Sequence, residues 1–419
     1  MDPPPRRVDS SGLQRVSLPA SPQRVISSAR ALPGTIWVLG FGSLLMDTSS
    51  ELIHSLLPVL MASVLGTPIV MIGVVEGTAE AATSVMKVFS GALSDCLRRR
   101  KRLVVLGYLL AAVTKPVFPL ASSIGWVFAA RLVDRLGKGI REAPRDALMA
   151  DIVSPDLRGA AYGLRQALDS VGAFCGPLLA VLLMGLLVND IRAVMWAAVV
   201  PAFAAVLLLA AYVRDPDRLA AAADAPFALA AIRGLPRMYW FAVVVGVLFT
   251  LARFSDAFLV LRALDVGLTA HYVPLVFIVM NVVYASCAFP AGLAADHIGS
   301  TALLLAGLVL LIGADLVLAA ANSSIWVFVG AGLWGLQMAA TQGLFGKLVA
   351  DAAPPELRGT AFGVFNLCSG AALLVASPVA GMLWSQTAPS ATFLVGAGFA
   401  AVSACGLLGY RLLMLLRTT

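Results

Sequence analysis

Three side chains that can bind and release protons stand at helical spacing near the start of the chain. Asp47 is followed four residues later by Glu51, and Glu51 is followed three residues later by His54. A helix would carry all three within about 60° of one line, because residues three and four apart share a helix face. Chains of carboxyl and imidazole groups relay protons, so this spacing predicts reversible proton binding.

Further charged residues recur at similar spacings and offer counter-charges to one another. They are Glu76, Glu80 and Lys87, then Arg131, Arg135, Lys138, Glu142 and Arg145, and finally Arg165 and Asp169. At about 100° per residue, the group that begins at Arg131 falls within roughly ±40° of one line. We expect Arg131 to pair with Asp47 or Glu51. The whole set is either a structural lattice of ion pairs or a proton path beside an anionic or polar substrate site.

The composition places these charges in a strongly apolar chain. Of the 419 residues, 60% are hydrophobic and 13% are charged, whereas soluble domains are about 45–50% apolar and about 25% charged. A water-soluble fold of this size cannot cover so much apolar surface with polar groups. Five cysteines in this length are too few for a disulfide scaffold. The composition therefore predicts an integral membrane protein of the all-α class.

Twelve segments are expected to cross the bilayer as helices, each of which needs roughly 20 residues. They lie at 35–62, 67–92, 102–121, 123–150, 158–187, 193–213, 238–264, 269–294, 301–320, 324–350, 358–385 and 391–416, and are numbered span 1 to span 12. Residues 1–30, rich in arginine, serine and proline, predict a disordered cytoplasmic tail, with a transit peptide as the alternative. Basic residues fall mainly on one side of this arrangement, which predicts cytoplasmic termini in the cell (inner) membrane.

The second half of the chain repeats the first at an offset of 200 residues. The matches run from Ser123, Trp126, Val127 and Phe128 to Ser323, Trp326, Val327 and Phe328, and from Ala150, Asp151, Pro155, Leu157, Arg158, Gly159, Ala161 and Gly163 to Ala350, Asp351, Pro355, Leu357, Arg358, Gly359, Ala361 and Gly363. The repeat predicts two parallel six-helix bundles, 31–213 and 238–419, joined by a cytoplasmic linker at 214–237. It also identifies span 4, whose charges would hide it from a hydropathy scan, since the matching span 10 is nearly free of charge.

Three short motifs accompany the repeat. The first, at 91–101, contains Gly91, Asp95, Arg99 and Arg100, with Asp296 in its second copy; the others are Arg158 and Gly159 in the turn before span 5, and Gly172, Gly176 and Pro177 within span 5. With these motifs the chain resembles the major facilitator superfamily over nearly everything after residue 30. It departs from the family's loop motif at Cys96 and Arg98. It also lacks the glycines that follow Pro177 in drug/proton antiporters, having Ala180 and Val181 instead.

The resemblance implies secondary transport by alternating access in a fold of twelve transmembrane helices. It implies packing and gating roles for the motif residues. The residues expected for proton coupling in a central cavity are Asp47, Glu51, His54, Glu76, Glu80, Arg131, Arg135, Lys138, Arg165 and Asp169. The partial span 5 motif is similar to that of drug/proton antiporters and favours proton-coupled efflux of a small molecule.

Two other functions stay open at this point. The basic stripe of span 4 favours proton-coupled uptake of a small anionic nutrient or metal chelate, and a non-transporting membrane sensor is the third possibility. The residues leave open the substrate, the direction of transport and the choice between H⁺ and Na⁺ as the coupling ion.

The C-terminal half carries fewer charges. Arg253 and Asp256 stand three apart and could pair, and Asn281 stands at the repeat position of Glu80. The residues expected along a substrate cavity are Arg253, Asp256, Asn281, Trp334, Gln337, Thr341 and Asn366. The resemblance implies proton coupling in one half and recognition of substrate shape in the other.

Several kinds of site are not indicated by the sequence. The scattered cysteines and histidines predict no metal site and no redox motif, and the glycine-lysine loop that binds ATP phosphates is missing. We therefore expect no cofactor and no enzymatic activity. The expected partners are a small-molecule substrate, protons and membrane lipid, but not nucleic acid, and the expected state is a monomer.

Overall fold

The structure is a computed structural model that describes residues 32–97, 99–154, 157–215, 234–342, 344–354 and 357–418. The predicted tail at 1–30 lies outside the described residues. Most of the predicted linker at 214–237 does so as well, and the division of the chain at that linker stays a prediction.

The first repeat consists of spans 1 to 6. Span 1 is Gly34–Val59 with a π-helical turn Leu60–Val64, span 2 is Ile69–Leu97, span 3 is Arg100–Thr114 with Val117–Leu120, span 4 is Ile124–Ile152, span 5 is Arg158–Leu186, and span 6 is Ile191–Trp196 with Val199–Tyr212. Local sequence explains several helix starts. Pro33 precedes span 1, where the fixed proline φ suits a helix entry, and the Asp190 carboxylate accepts hydrogen bonds from the first free N–H groups of span 6.

The second repeat consists of spans 7 to 12. Span 7 is Arg237–Ala252 with Ala257–Asp265, span 8 is Leu275–Ile298, span 9 is Ser300–Ala320, span 10 is Ser324–Thr341 with Leu344–Ala352, span 11 is Arg358–Gln386, and span 12 is Pro389–Thr418. The prediction of twelve helices in two parallel repeats is therefore confirmed.

Span 7 and span 10 differ from the prediction because each is interrupted. In span 7 the helix stops at Ala252 and restarts at Ala257. The interruption is stable because side chains bind the freed backbone groups: the Ser255 N–H donates to the Ser377 hydroxyl (3.2 Å), and the Ala257 N–H donates to the Ser255 hydroxyl (3.3 Å). Irregular backbone at membrane depth occurs where protein or water satisfies it, and this one borders a cavity.

Hydropathy alone detects 10 candidate spans within the described residues, and it does not detect span 1 or span 4. The expectation that charge hides span 4 is confirmed. Span 1 is hidden as well, because Asp47, Glu51 and His54 interrupt its apolar residues. Of the helices considered above, span 4 carries the largest share of the charges.

Glycines allow the closest helix contacts inside the first repeat. Span 5 crosses span 1 at Gly172 and Gly176, where an added Cβ would lie 2.6 Å from the carbonyl oxygens of Leu44 and Thr48. Small residues at a membrane helix interface let backbones approach in this way. Two of the three motif residues of span 5 thus set the packing of spans 1 and 5, and Pro177 lies within the same helix.

The two repeats meet at one end of the molecule. Successive spans run in opposite directions, so the loops after spans 2, 4, 8 and 10 lie at one end of the molecule. This end, which holds Arg99 and Arg158, is named the basic end. The loops after spans 1, 5 and 7 lie at the opposite end. At the opposite end an added Cβ at Gly73 in span 2 would lie 2.2 Å from the carbonyl oxygen of Ser377 in span 11. The loops touch there too, with His271 Nδ1 3.1 Å from Asn189 Oδ1.

Candidate functional site

Two adjoining polar cavities lie between the repeats. The deeper one has a volume of about 390 Å³ and the one nearer the basic end about 370 Å³. Lys138 and Ala173 of the first repeat and Asn281 and Met338 of the second line both cavities. The two volumes are therefore treated as one space, named the central cavity.

The first repeat contributes the charged wall of the central cavity. Of the ten residues predicted for proton coupling, those that line it are Asp47, Glu51, His54, Glu80, Arg135, Lys138, Arg165 and Asp169. Lys87, Arg141, Glu142, Arg145 and Asp146 line it as well. Spans 1, 2, 4 and 5 thus bring their charged faces together around one space.

Most of these charges are paired. Pairs across neighbouring helices have separations of 3.3 Å for Arg135–Glu80, 3.0 Å for Lys87–Glu142 and 4.0 Å for Arg141–Asp47, and pairs within one helix have separations of 4.0 Å for Lys138–Glu142, 3.2 Å for Arg145–Asp146 and 2.8 Å for Arg165–Asp169. The acids of spans 1, 2, 4 and 5 therefore neutralise the basic stripe of span 4 and Arg165. Such pairing lowers the cost of holding charge at bilayer depth.

Arg131 and Glu76 form a separate, buried ion pair. The Arg131 guanidinium donates to the Glu76 carboxylate at 2.7 Å, with 2% and 0% of the two side chains exposed. The expectation that Arg131 pairs with Asp47 or Glu51 is therefore wrong. The reason is packing, since span 4 lies against span 2 along much of its length and barely touches span 1, and neither Arg131 nor Glu76 lines the central cavity. A second buried pair lies nearby, where Lys115 of span 3 binds Asp134 of span 4 at 2.8 Å.

Glu51 and His54 lie at the deep part of the central cavity. His54 Nδ1 is 3.4 Å from Glu51 Oε2, and its Nε2 is 3.8 Å from the carboxylate of Glu76. The imidazole also stacks on Phe277 of span 8, with ring centroids 5.1 Å apart. His54 consequently stands between a cavity acid, a buried acid and the other repeat.

The second repeat contributes a milder wall with aromatic, amide and hydroxyl groups. Its lining residues are Phe249, Thr250, Arg253, Phe254, Ser255, Asp256, Phe277, Met280, Asn281, Tyr284, Met338, Gln342, Ser369 and Leu373. Arg253, Asp256 and Asn281 were predicted. The phenylalanines were not, because a phenylalanine in an apolar span is indistinguishable from a core residue in the sequence.

One predicted ion pair of this repeat is absent, and four of its predicted lining residues lie away from the central cavity. Arg253 and Asp256 do not form an ion pair, because span 7 breaks between them and the Trp334 indole N–H donates to Asp256 at 3.0 Å. Trp334 is fully buried behind the wall, as is Gln337, whose amide donates to Thr341 at 2.9 Å. Thr341 and Asn366 line a separate side space of about 420 Å³, which Arg253 also lines.

Arg253 differs from the other bases of the central cavity. Each of the others has a carboxylate within 4.0 Å. Within the part of the chain that the structure describes, the Arg253 guanidinium has neither an ion pair nor a side-chain hydrogen bond. It lies at the break in span 7 and lines the deeper part of the central cavity. An anion in the cavity would find its five N–H donors free.

The predicted gating residues lie at the basic end. An added Cβ at Gly91 would make an ordinary contact with Ala143 at 3.6 Å, and Gly159 has open space around it. Arg99 is exposed, Arg100 binds Asp151 at 2.7 Å, and Arg158 donates to the carbonyl oxygen of Ala150 at 3.2 Å. The side chains of Asp95 and Asp296 lie outside the described part of the structure.

One acid lies apart from this cavity. Asp315 in span 9 is fully buried, and neither carboxylate oxygen has a hydrogen-bond partner among the residues that the structure describes. It packs against Gly396 of span 12, where an added Cβ would lie 2.9 Å from its Oδ2.

Comparison with known proteins agrees with this architecture. The profile described as Major Facilitator Superfamily matches residues 39–262 and 257–418. A protein of Methanocaldococcus jannaschii named an uncharacterized MFS-type transporter is 32% identical over 381 residues, which is 89% of this chain and 94% of that protein. The multidrug resistance protein MdtH of Yersinia pestis is 28% identical over 187 residues, 45% of this chain and 44% of its own length.

A solved structure has the same fold. A POT family transporter in complex with a thioalcohol-conjugated peptide superposes with a TM-score of 0.75 at 12% identity, covering 92% of this chain and 99% of its own. The profile and the archaeal relative each span most of the chain, and they agree with the twelve spans, the repeat and the cavity between the repeats. The chain is a multi-pass membrane transporter that belongs to the major facilitator superfamily.

Proposed function

We propose that this transporter couples the efflux of a small molecule to the movement of protons in the other direction. The observation that carries the proposal is the position of Glu51 and His54, 3.4 Å apart in the deep part of the central cavity, with His54 stacked on Phe277 of the other repeat. Proton binding there changes the charge at a contact between the two repeats. In alternating access the two repeats move relative to each other. A change of charge at a contact between them therefore alters the relative stability of the conformations.

The mechanism follows from exchanging partners in the cavity. Without a bound proton, Glu51 and Asp47 carry negative charge that balances nearby basic side chains. A proton that binds either acid removes this charge, and a substrate that enters the cavity can then balance the basic side chains. A proton and a substrate then compete for the same bases, which is the requirement for exchange. Because the repeats touch at the opposite end and enclose the cavity nearer the basic end, this conformation suits loading from the basic end.

Efflux as the direction rests on two similarities. The G-x-x-x-G-P motif of span 5, with Gly172, Gly176 and Pro177, is similar to that of drug/proton antiporters. The partial match to MdtH, a protein named for multidrug resistance, covers 45% of this chain. Both similarities suggest a substrate that leaves the cell.

Neutralising the cavity acids tests proton coupling. We expect Glu51→Gln and Asp47→Asn to abolish flux driven by a pH gradient in proteoliposomes, while the purified variants elute and unfold like the parent. A thermal-shift screen of drugs, siderophores, metal ions and metabolites first supplies the ligand whose flux is followed. Asp190→Asn is the control and should keep its coupling, because that carboxylate caps span 6 at the opposite end, outside the central cavity, and asparagine is also a good helix cap. Unchanged coupling in both test variants would overturn the assignment, and no flux under any gradient would favour a sensor.

Proton-coupled uptake of a small anion or metal chelate is the second candidate, and the unpaired Arg253 favours it. The same proteoliposomes distinguish the two directions. In an exchanger an outward substrate gradient drives protons inward, whereas in a symporter substrate and protons move together. The sign of the pH change inside vesicles loaded with the ligand decides between them.

The basic residues suggest that the basic end, with both termini, faces the cytoplasm of a cell whose plasma membrane holds the protein. We expect a cysteine introduced as Ala222→Cys on a cysteine-free background to react with an impermeant maleimide in inside-out vesicles and to be protected in intact cells. A cysteine in the loop after span 5, introduced as Val188→Cys, should show the reverse pattern. Labelling of Ala222→Cys from outside would contradict the orientation.

A further inference from the structure

A groove between the two repeats opens on the side of the molecule. It lies between spans 5 and 8, has a volume of about 730 Å³ and is larger than either part of the central cavity. Its wall is mainly apolar and includes Gly163, Ala167 and Phe174 of span 5 and Val282, Ala285 and Phe289 of span 8. This space is named the lateral groove.

The residues of the lateral groove form one stripe on each helix. On span 5 they recur at intervals of three or four residues from Gly163 to Phe174, and on span 8 they are seven of the nine residues from Asn281 to Phe289. Span 5 begins at the basic end and span 8 finishes there, so both stripes lie in the half of the membrane nearer that end. Phe289 is 72% exposed and Val282 is 44% exposed. In a membrane, these side chains face the acyl chains of lipid.

The lateral groove adjoins the central cavity and shares lining residues with it. Asn281 lines the groove and both parts of the cavity, and Gln166, Ser170 and Tyr284 line the groove and the part of the cavity nearer the basic end. The Asn281 amide donates to the carbonyl oxygen of Ala173 at 3.1 Å and joins span 8 to span 5 at this junction. Exposed apolar residues are ordinary on a lipid-facing surface. An apolar groove that leads from that surface to the edge of a charged cavity is not.

The charges of the central cavity indicate which headgroup would be held there. Most of its acids and bases pair with one another, but within the described residues Arg253 has no carboxylate partner and Asp256 has no basic one. Glu51 has His54 beside it, and Asp256 accepts from Trp334, so each of these acids has a donor while the Arg253 side chain has no hydrogen-bond acceptor. Arg253 is therefore the group whose donors are available to an anionic headgroup, through a charge-assisted hydrogen bond.

We propose that the lateral groove is a portal through which an anionic amphiphile enters from the bilayer leaflet next to the basic end. Its charged head binds Arg253 in the central cavity, and its alkyl chain lies in the groove between spans 5 and 8. The proposal rests on the proposed transport function and gives it a substrate class and a route. The alkyl chain stays among apolar side chains and does not enter the polar cavity. The charged head moves from the polar membrane surface to another polar site, so it is not left unpaired in an apolar environment.

Photolabelling of the purified full-length transporter in phosphatidylcholine vesicles tests the portal without any gradient. The probes share one dodecyl chain with a diazirine near its end and differ in the head: a phosphate, a hydroxyl or a trimethylammonium group. We expect saturable labelling of the span 5 and span 8 stripes by the phosphate probe, about tenfold above that by the alcohol, since one charge-assisted hydrogen bond contributes about 1.5 kcal/mol or more. Arg253→Gln should reduce it to the level of the alcohol.

Two substitutions test the groove itself. Gly163→Phe fills open space in the groove, and Ala167→Trp, one turn further, fills it independently if the first variant does not fold. Both should remove saturable labelling. Gly398→Phe is the matched control, because Gly398 is also exposed and helical with nothing near its Cβ position, but lies in span 12 outside the groove. It should leave the labelling unchanged.

Other results would overturn the portal. Equal, non-saturable labelling by all three probes would mean that the groove holds ordinary lipid tails, and preference for the ammonium probe would mean that the charge assignment is wrong. Labelling that survives Gly163→Phe and Ala167→Trp would remove the groove from the route. Because no pH gradient is used, the portal can be correct where proton coupling fails. If a gradient drives flux of a water-soluble ligand but no probe labels the groove, the portal is wrong and the proposed transport function still holds.

Discussion

Replacing Arg131 with alanine is expected to prevent the transporter from folding stably. The substitution leaves Glu76, with 0% of its side chain exposed, without its 2.7 Å partner at bilayer depth. Removing one member of a buried ion pair costs about 3–5 kcal/mol, a large part of the roughly 5–15 kcal/mol that holds a folded domain together. We expect loss of the monodisperse peak in detergent or a strongly lowered unfolding temperature.

A double substitution separates a structural pair from a functional one. Arg131→Met with Glu76→Leu removes both charges, and replacing a buried pair with apolar residues of similar volume is often neutral or stabilising. We expect this variant to recover stability and transport, because neither residue lines the central cavity. Recovery of folding without transport would instead make the pair part of coupling. Lys87→Ala, which breaks a partly exposed pair with Glu142, should cost less than about 1 kcal/mol.

Replacing Gly73 with alanine, which adds a single methyl group, is expected to block transport by disturbing a contact between the two repeats. Span 2 and span 11 meet so closely that the Cβ of an alanine would lie 2.2 Å from the carbonyl oxygen of Ser377. A backbone atom cannot rotate away as a side chain does, so the two repeats must separate at the opposite end. Gly73→Ala should therefore disfavour this conformation. A change of about 5.5 kcal/mol is enough to reverse a 99:1 population.

Spin labels at the opposite end measure this shift. With labels on Val188→Cys and Tyr272→Cys in a cysteine-free background, Gly73→Ala should lengthen the main distance and reduce transport at least about tenfold, in proportion to the lost population. Gly313→Ala is the control, because nothing lies near its Cβ position. It should leave the distance unchanged and could add about 0.5–1 kcal/mol of helix stability. An unchanged distance in Gly73→Ala would show that the contact is not part of the conformational change.

Much of the fold can be predicted from the sequence because the bilayer imposes simple rules. Continuous apolar length marks most spans, and the match of Ser123, Trp126 and Phe128 with their counterparts 200 residues later identifies the repeat. The repeat also recovers span 4, which hydropathy misses within the described residues. Helical spacing places Asp47, Glu51 and His54 on one face. The breaks in spans 7 and 10 leave no such signal, because serine side chains and a cavity, rather than proline, accommodate the break in span 7.

The candidate site shows where sequence reasoning stops. Eight of the ten residues predicted for proton coupling line the central cavity. Arg131 and Glu76 do not, and Trp334 and Gln337 lie behind its wall. Their types and spacing are as suggestive as those of the lining residues. The difference is depth and rotation within the bundle, which the periodicity of a single helix does not contain.

By itself, the sequence determined that this protein crosses the membrane twelve times, that its two halves are related, and that its charges cluster in the first half. These properties depend on the identity and spacing of residues along one helix at a time. Only the tertiary structure decided that Arg131 binds Glu76, that Arg253 is left without an ion-pair partner among the described residues, and that an apolar groove adjoins the charged cavity. Each of those depends on which helices meet and at what height, and contacts between residues tens to hundreds of positions apart are set by packing in three dimensions.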